Sequence, residues 1–471
     1  MNRKSPVTYI ILTLPFVLWA ALEVYPSFDD WSTLSSPNTD REWLKFFMPY
    51  GSVWRPFDAL FGYITGVWPA LFPALAHVCI VTGHTVSALL IYSLTGRLGL
   101  NRAARFAGTL FFWLSPCMLG TVLSCDSLNQ TYSHAWGLGA VWAYIVMRGR
   151  KRYAAWAVCV VMAALAKDNG IAWAVVPPMV AYAFDRCDRR ALLRGLFFGC
   201  AVAVVYGCVR MALPKTDIYN SDYSTFVLAK KVKEIVTWVG YTWFAVDYVS
   251  IVHAPSRNLL LAGVTLLLAL PMVYVLFVRN IRLMFTRRLL VLAAAMIAVM
   301  SPHLLISLSV MNAYAGLGMA ALMVAVVIDS AYPADRRIIV CAFGMYVVAA
   351  VITDVHHAYK AVTTAATGRE MAREVIRATG HEVETAYCVI VDDDERKFSS
   401  FCVLPQDAFG GNGAAVMHEN RYRWPHEVND TIIPRDMADS AESIARRAIA
   451  CGKYECAWII DKSRVRVINK Q

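Results

Sequence analysis

The feature that most constrains this chain is a series of long apolar runs that recurs from residue 7 to residue 354. Runs of this length are typical of membrane-spanning helices, since about 20 apolar residues cross a hydrocarbon core of about 30 Å. The composition agrees: of the 471 residues, 58% are hydrophobic and 17% are charged, against about 45–50% and about 25% in soluble proteins. The pattern excludes a soluble or disordered chain and predicts an all-α multi-pass membrane bundle.

Eleven segments are predicted to cross the membrane: 7–25, 73–95, 105–123, 128–147, 153–166, 171–184, 193–213, 258–278, 289–308, 312–330 and 337–354. The first follows two basic residues and has no small-residue cleavage site, so we expect it to be an uncleaved anchor. Segment 232–251 is also apolar, but it contains Lys233, Glu234 and Asp247. These charges favour an amphipathic helix at the outer interface, although a spanning helix stays open.

The positive charge of the chain lies among the apolar segments. Residues 1–354 contain 29 Lys and Arg and 17 Asp and Glu, whereas residues 355–471 contain 16 and 17. With a cytoplasmic N-terminus, nineteen basic residues fall in short cytoplasmic loops and only nine in the longer opposite loops. This asymmetry is a membrane-topology signal, so the chain is not expected to bind nucleic acid. It predicts an inner-membrane protein with loops 26–72 and 214–257 and the C-terminal tail outside the cytoplasm.

The tail, residues 355–471, is predicted to be a small extracytoplasmic α/β domain that follows the transmembrane domain of residues 1–354. Strands are expected over 386–391, 398–404, 456–460 and 464–468, and a helix over 438–450. The tail also contains four cysteines: Cys388, Cys402, Cys451 and Cys456. In an oxidising compartment they are expected either to form two disulfides, with the pairing open, or to remain buried thiols.

Polar residues concentrate at the predicted outer ends of the segments, where membrane depth makes them candidates for function. Asp29 and Asp30 lie just outside the first segment, and paired carboxylates there suit a general base or an ordinary solvated loop. Arg55 precedes Pro56 in an aromatic stretch. Its guanidinium suits a lipid phosphate, or it extends to the headgroups.

Lys167 and Asp168 lie between two apolar segments of about 14 residues, which are too short to cross the core alone. The turn should therefore lie at membrane depth and line a cavity, where Lys167 suits an anion, unless it is a simple hairpin with a Lys–Asp pair. His77 and His84 share a helix face at a spacing of seven, which suits bundle-interior histidines or substrate contacts better than a metal pair. Weaker candidates are Asp126, His303 and Tyr314.

In this order, the acidic pair, Arg55-Pro56, the histidine helix and Lys167-Asp168 resemble the GT-C superfamily of membrane glycosyltransferases that use polyprenyl-phosphate sugars. The superfamily includes the protein O-mannosyltransferases and the bacterial transferase that adds aminoarabinose to lipid A. The resemblance covers about residues 7–330 and not the tail. The family's usual Lys-Glu turn reads Lys-Asp here, and the sequence Met311-Asn312-Ala313-Tyr314 lacks the Arg of an Arg-Tyr pair.

The resemblance implies that Asp29 or Asp30, with Asp29 favoured, deprotonates the acceptor, and that Arg55 and Lys167 hold the departing lipid phosphate. It implies a polyprenyl-phosphate sugar as donor, a glycan, lipid or protein as acceptor, and no cofactor or divalent metal. The other residues expected in the substrate cavity are His77, His84, Asp126, Asp168, His303 and Tyr314. Two alternatives remain: a transporter or flippase for lipid-linked glycans, and a non-catalytic membrane scaffold.

Overall fold

The structure, a computed structural model, describes residues 5–26, 30–31, 54–213, 228–246, 255–305, 311–391, 413–421, 423–425, 427–461 and 464–470. Asp29, Cys402 and the predicted strand 398–404 lie outside these residues. The main helices of the bundle are α1 (Pro6–Glu23), α2 (Pro56–Val67), α3 (Ala74–Arg97), α4 (Arg102–Leu114), α5 (Leu128–Val146), α6 (Gly149–Ala166), α7 (Val176–Ala183), α8 (Arg189–Ala212), α9 (Leu228–Trp243), α10 (Pro255–Val273), α11 (Arg287–Leu305) and α12 (Leu317–Thr379).

Within the residues that the structure describes, six stretches are long and apolar enough to cross a membrane, judged by length and composition: Pro6–Glu23, Ala74–Arg97, Arg189–Ala212, Asn258–Arg279, Asn312–Ala331 and Asp335–Thr379. Each of the eleven predicted segments overlaps a helix. The protein is therefore a multi-pass helical membrane protein, while the count of eleven spans stays a prediction. Helix α9 has 16 residues and is outside this set, so its place at the interface also stays a prediction.

Two predicted segments are interrupted by irregular helix. Segment 105–123 breaks after Leu114, because Ser115 precedes Pro116 and is extended, as residues before proline usually are. Two short turns, Pro116–Met118 and Leu119–Val122, complete it. The predicted segment 171–184 likewise begins as a 3-10 helix, Asp168–Ala174, before α7 starts. Both interruptions fall near candidate site residues.

The last helix, α12, runs from the bundle into the tail. Its backbone departs from helical geometry at Asp335, whose carboxylate pairs with Arg279 at 2.7 Å. Beyond this kink the helix continues to Thr379, well past residue 354, where the soluble domain was expected to begin. The region from 355 to 379 is therefore an extension of the last predicted span, and the sheet follows a few residues later.

The tail contains β1 (Thr385–Val391), α13 (Ala414–Glu419), β2 (Glu427–Ile433), α14 (Ala441–Ala450), β3 (Cys456–Asp461) and β4 (Arg464–Asn469). The strand order is β2-β1-β3-β4, with β1 parallel to both neighbours and β3 antiparallel to β4. Helix α14 covers one face, while the other face joins the same hydrophobic core as α12. The predicted α/β composition is therefore present, although β2 and α13 were not expected.

The tail cysteines that the structure describes are free thiols. Cys388 on β1 and Cys456 on β3 are buried, and Cys451 after α14 is exposed. The two predicted disulfides are therefore not formed by these three residues with one another, and the alternative of free thiols holds for them. Since Cys388 and Cys456 point into the packed face of the sheet, they serve there as small apolar side chains.

Candidate functional site

The member of the acidic pair that the structure describes, Asp30, follows α1, which ends at Glu23, and is held by the segment between α4 and α5. Its Oδ1 accepts a hydrogen bond from Ser124 Oγ at 3.0 Å and from the backbone N–H of Asp126 at 2.7 Å. The side chain is only 2% exposed. These two donors fix the orientation of the carboxylate. Asp29 lies outside the described residues, and its role stays a prediction.

Arg55 caps the start of α2, with Pro56 as the first helical residue, a position where the missing proline N–H costs no hydrogen bond. Its Nη1 lies 3.8 Å from Oδ2 of Asp58. Its Nε is buried and has no hydrogen-bond partner among the described residues. A guanidinium with an unused N–H group can donate a hydrogen bond to a further oxygen ligand.

Asp58 connects Arg55 to the start of α5. Asn129 Nδ2 donates to Asp58 Oδ2 at 3.1 Å and to the carbonyl of Asp126 at 2.9 Å. Burial raises the pKa of Asp58, whereas Arg55, Asn129 and Lys167 act in the opposite direction. This single asparagine therefore joins the Arg55 segment to the Asp126 segment that holds Asp30.

Lys167 ends α6 in an extended conformation, and the chain turns back because Gly170 packs directly on Ala163. A Cβ at Gly170 would lie 2.2 Å from the carbonyl oxygen of Ala163, so only glycine fits this turn. Lys167 Nζ donates to Asn312 Oδ1 at 3.2 Å, and Gln130 Nε2 donates to the same oxygen at 2.6 Å. The turn therefore places the ammonium group against a neutral amide.

The charge of Lys167 is costly in this position. Burial by the surrounding protein, and after it the charge of Arg55, lower the pKa of Lys167, while Asp126, Asp58 and Asp168 raise it, and the net pKa is about 7. The two cations are thus close enough to repel each other. An anion placed between them would relieve this repulsion, since opposite charges favour the protonated ammonium group.

The Lys–Asp pair that the sequence left open as an alternative is not found among the described residues, where Asp168 has other partners. Its Oδ2 accepts the backbone N–H of Trp54 at 3.1 Å, and its Oδ1 accepts from Tyr206 Oη at 3.0 Å. Arg210 Nε lies 3.8 Å from Oδ1. Asp168 raises the pKa of Lys167. The hydrogen bonds that its carboxylate accepts come from Tyr206 on α8 and from Trp54, the residue before Arg55. It therefore fixes the Arg55 segment rather than neutralising Lys167 directly.

Of the three weaker candidates, Asp126 and His303 belong to the same site, and Tyr314 does not. Asp126 contributes its backbone N–H and carbonyl as described, and His303 on α11 contacts the Asn169 side-chain amide of the Lys167 turn. His84 and Tyr314 instead bond to each other, Nδ1 to Oη, at 2.9 Å. Both are fully buried, with His84 stacked on Trp113 at 4.8 Å. This is the bundle-interior arrangement that the sequence left open.

His77 lies at the edge of the site. Its Nε2 is 3.1 Å from Sγ of Cys125, the residue between Ser124 and Asp126. The shared helix face predicted for His77 and His84 thus leads to two different environments. Among the described residues, no group of three or more His, Cys, Asp or Glu is arranged to hold a metal ion. Metal-independent catalysis stays a prediction.

Four residues of the site had not been selected as site residues from the sequence, namely Asp58, Gln130, Tyr206 and Arg210, whereas Asn312 had been a weak candidate together with Tyr314. Each lies near the end of a helix or turn that faces Lys167 or Arg55. The available signal was their position at predicted outer ends of segments, but an amide or tyrosine there is common and carries little information. Arg210 adds a third cation near the site. The sequence had not indicated it, since the motif at Tyr314 lacks an arginine.

No family model matches the sequence, and no curated protein matches it. Among solved structures, the fold is similar to the oligosaccharyltransferase of Archaeoglobus fulgidus, crystallised as a complex with zinc and sulfate. The TM-score is 0.49 and the identity is 12%, over 95% of this chain and 67% of that chain. A likeness of this size leaves the function of the present chain to be inferred from its own residues.

Proposed function

We propose that this protein is a membrane glycosyltransferase that moves a sugar from a polyprenyl-phosphate donor to an acceptor hydroxyl at the outer face of the membrane. The observation that supports this most is the buried turn in which Lys167 donates to the neutral amide of Asn312 at 3.2 Å, with burial first and the charge of Arg55 second lowering the pKa of the lysine. Bringing like charges together in a partly buried site is unfavourable unless an anion binds there. A lipid-linked phosphate supplies that anion.

The acidic pair of Asp29 and Asp30 supplies the base. One carboxylate removes the proton of the acceptor hydroxyl, and the oxygen attacks the anomeric carbon as the bond from that carbon to the phosphate oxygen breaks. The electron pair of the broken bond leaves with the polyprenyl phosphate. Lys167 and Arg55 stabilise this developing charge, as fixed cations do most effectively where water is scarce.

The surrounding residues keep these groups in place. Asn129 links the Arg55 segment to the segment that binds Asp30, and Asn312 orients Lys167 without neutralising it. A neutral partner leaves the ammonium free to attract phosphate, whereas a carboxylate in that position would compete with the ligand. In this proposal Asp168 and Arg210 are supports of the Arg55 segment.

The partners follow from the chemistry. The donor is a polyprenyl-phosphate sugar that enters from the outer leaflet, and the acceptor is a glycan, lipid or protein hydroxyl. The site lies on the same side of the membrane as the tail in the proposed topology, with the N-terminus in the cytoplasm and the protein in the inner membrane. The proposal requires neither cofactor nor divalent metal.

Purified protein in lipid nanodiscs tests the proposal against the alternatives. We expect it to bind undecaprenyl phosphate and to release that lipid from an undecaprenyl-phosphate sugar in the presence of an acceptor mixture from the same membranes. A flippase would bind the lipid and move it between leaflets without breaking the sugar–phosphate bond. A scaffold would do neither, and either of these outcomes would exclude the transferase.

A further inference from the structure

The tail contacts the membrane part at the segment that carries the acidic pair. Gly413 directly precedes α13 and has a φ of +67°. A Cβ added at this residue would lie 2.7 Å from Val428 Cγ2, so only glycine fits here. The helix is thereby fixed against β2. At its other end Glu419 pairs with Arg373 of α12 at 2.8 Å, so α13 is anchored to both the sheet and the last helix.

From this position α13 reaches the first outer segment. Tyr25 Oη donates to the carbonyl of Ala415 at 3.4 Å. The His418 ring lies 5.5 Å from the ring of Trp31 and 6.3 Å from that of Tyr25. Trp31 is completely buried, enclosed by Tyr25, Phe72 and His418 at centroid distances of 5.5 to 5.6 Å. The tail therefore closes one side of an aromatic cluster.

Trp31 follows Asp30 in the chain, and the two side chains are held by different parts of the protein. Ser124 and Asp126 hold the carboxylate from the membrane part, and His418 holds the indole from the tail. A displacement of the packed Trp31 indole would shift the backbone of Trp31 and with it the adjacent Asp30. A displacement of about 1 Å at a reacting group can reduce the rate about a hundredfold.

We infer that His418 is a positioning residue of the transferase, which acts through Trp31 to orient the neighbouring Asp30, and that the tail is therefore part of the catalytic unit. This inference rests on the proposed function. In this inference His418 acts through the Trp31 ring and not on the reacting atoms themselves. Its contribution is the shape of a ring packed against an indole, which an aromatic replacement would retain.

The test uses the full-length protein in nanodiscs with three variants: His418→Ala, His418→Phe and Tyr454→Ala. Tyr454 packs on Tyr387 within the tail and bonds to Asn429, so its removal weakens the tail without touching Trp31. We expect His418→Ala to increase amide hydrogen exchange in the peptide covering residues 24–31 and to lower the turnover number about tenfold or more. Affinity for undecaprenyl phosphate should stay within about twofold, because that ligand binds at Lys167 and Arg55.

His418→Phe should restore both the protection of residues 24–31 and turnover to near the wild-type level, and Tyr454→Ala should alter neither at equal folded fraction. If His418→Ala leaves exchange in residues 24–31 unchanged, or if Tyr454→Ala reproduces its effects, the inference is wrong. Failure of the wild type to bind undecaprenyl phosphate would overturn the proposed function instead, while the exchange measurement would still decide whether His418 holds Trp31.

Discussion

Lys167 Nζ donates a hydrogen bond to Asn312 Oδ1 at 3.2 Å, so the buried-turn lysine is held by a neutral amide rather than by the aspartate that follows it. The amide is itself fixed by Gln130, which donates to the same oxygen. Because neither partner carries a negative charge, the ammonium group keeps its attraction for an anion. The arrangement is that of a ligand site more than that of an internal ion pair.

Lys167→Ala should weaken binding of undecaprenyl phosphate. A hydrogen bond to a charged group contributes about 1.5–3 kcal/mol, so we expect the dissociation constant to rise about ten- to a hundredfold. The measurement compares the two purified proteins at matched thermal stability. Equal affinity and equal turnover would make Lys167 a structural turn residue and would leave Arg55 as the phosphate ligand.

The affinity should also depend on pH through Lys167. Its pKa in the free protein is lowered to about 7, and a bound phosphate raises it, so binding takes up a proton. Affinity should therefore fall as pH rises above about 7, by up to about tenfold per unit. Lys167→Arg does not titrate in this range and serves as the control. The phosphate's own ionisation affects both proteins, so identical pH profiles would contradict the prediction.

The same depressed pKa has a consequence for stability. The unfolded chain holds the Lys167 proton up to its ordinary pKa of about 10.4, whereas the folded chain releases it near 7. Between these values the unfolded state binds more protons, so this residue makes the folded protein more stable as pH rises. The measurement is thermal unfolding of wild type and Lys167→Met at pH 6.5 and 9. The free energies of unfolding of the two proteins should differ more at pH 6.5 than at pH 9.

Asp29→Asn should abolish transfer, while Asp30→Asn should reduce it less. A positioned general base contributes about 10²–10⁴-fold to the rate, and the substitution keeps the shape of the side chain. Asp30→Asn also disturbs the hydrogen bonds from Ser124 and Asp126. Turnover with a native lipid donor is the measurement, and folding is checked by size-exclusion profile. Near-full activity in both variants would rule out the acidic pair as the base.

Asp168→Ala should destabilise the protein and weaken donor binding together. The carboxylate holds the N–H of Trp54 and the hydroxyl of Tyr206, so its removal should lower the free energy of unfolding by about 1–3 kcal/mol. The matched variant Tyr206→Phe removes one of these bonds and leaves the Trp54 segment attached. It should cost less stability and leave donor affinity unchanged, and equal affinity loss in both variants would contradict the positioning role.

Reporter fusions test the topology. Fusions after residues 97, 150, 190 and 285 should report the cytoplasm, because basic loops are retained there. Fusions after residue 60 and at the C-terminus should report the outside. A cytoplasmic C-terminus would mean that segment 232–251 crosses the membrane, and it would remove the tail from the compartment of the proposed acceptor.

The sequence predicted the helical segments well because their apolar runs are long. Such runs are recognised without the 3.6-residue hydrophobic period of an amphipathic helix. It also indicated which ends carry chemistry, since Arg55 and Lys167 stand out as charges among apolar residues. What it did not show is which polar side chains meet. Lys167 and Asn312 are separated by 145 residues, and an asparagine before a helix has many ordinary roles.

The tail was predicted less completely for a physical reason. Strand β2 reads Glu427-Val428-Asn429-Asp430-Thr431 before its two isoleucines, so its exposed polar residues obscure the strand. Its parallel partner β1 is nearly all apolar and was found. The length of α12 was also missed, because beyond residue 354 the helix becomes amphipathic and its apolar residues face the sheet rather than lipid.

The course of α12 beyond its kink at Asp335 has a mechanical consequence. Its outward half passes from Asp335 to Thr379 as one rod and enters β1 after only a short turn, so no slack linker separates tail from bundle. A tilt of this rod would carry the sheet and α13 with it and would press on, or withdraw from, the aromatic cluster at Trp31. A movement of the last helix would in this way be transmitted through α13 and Trp31 to Asp30.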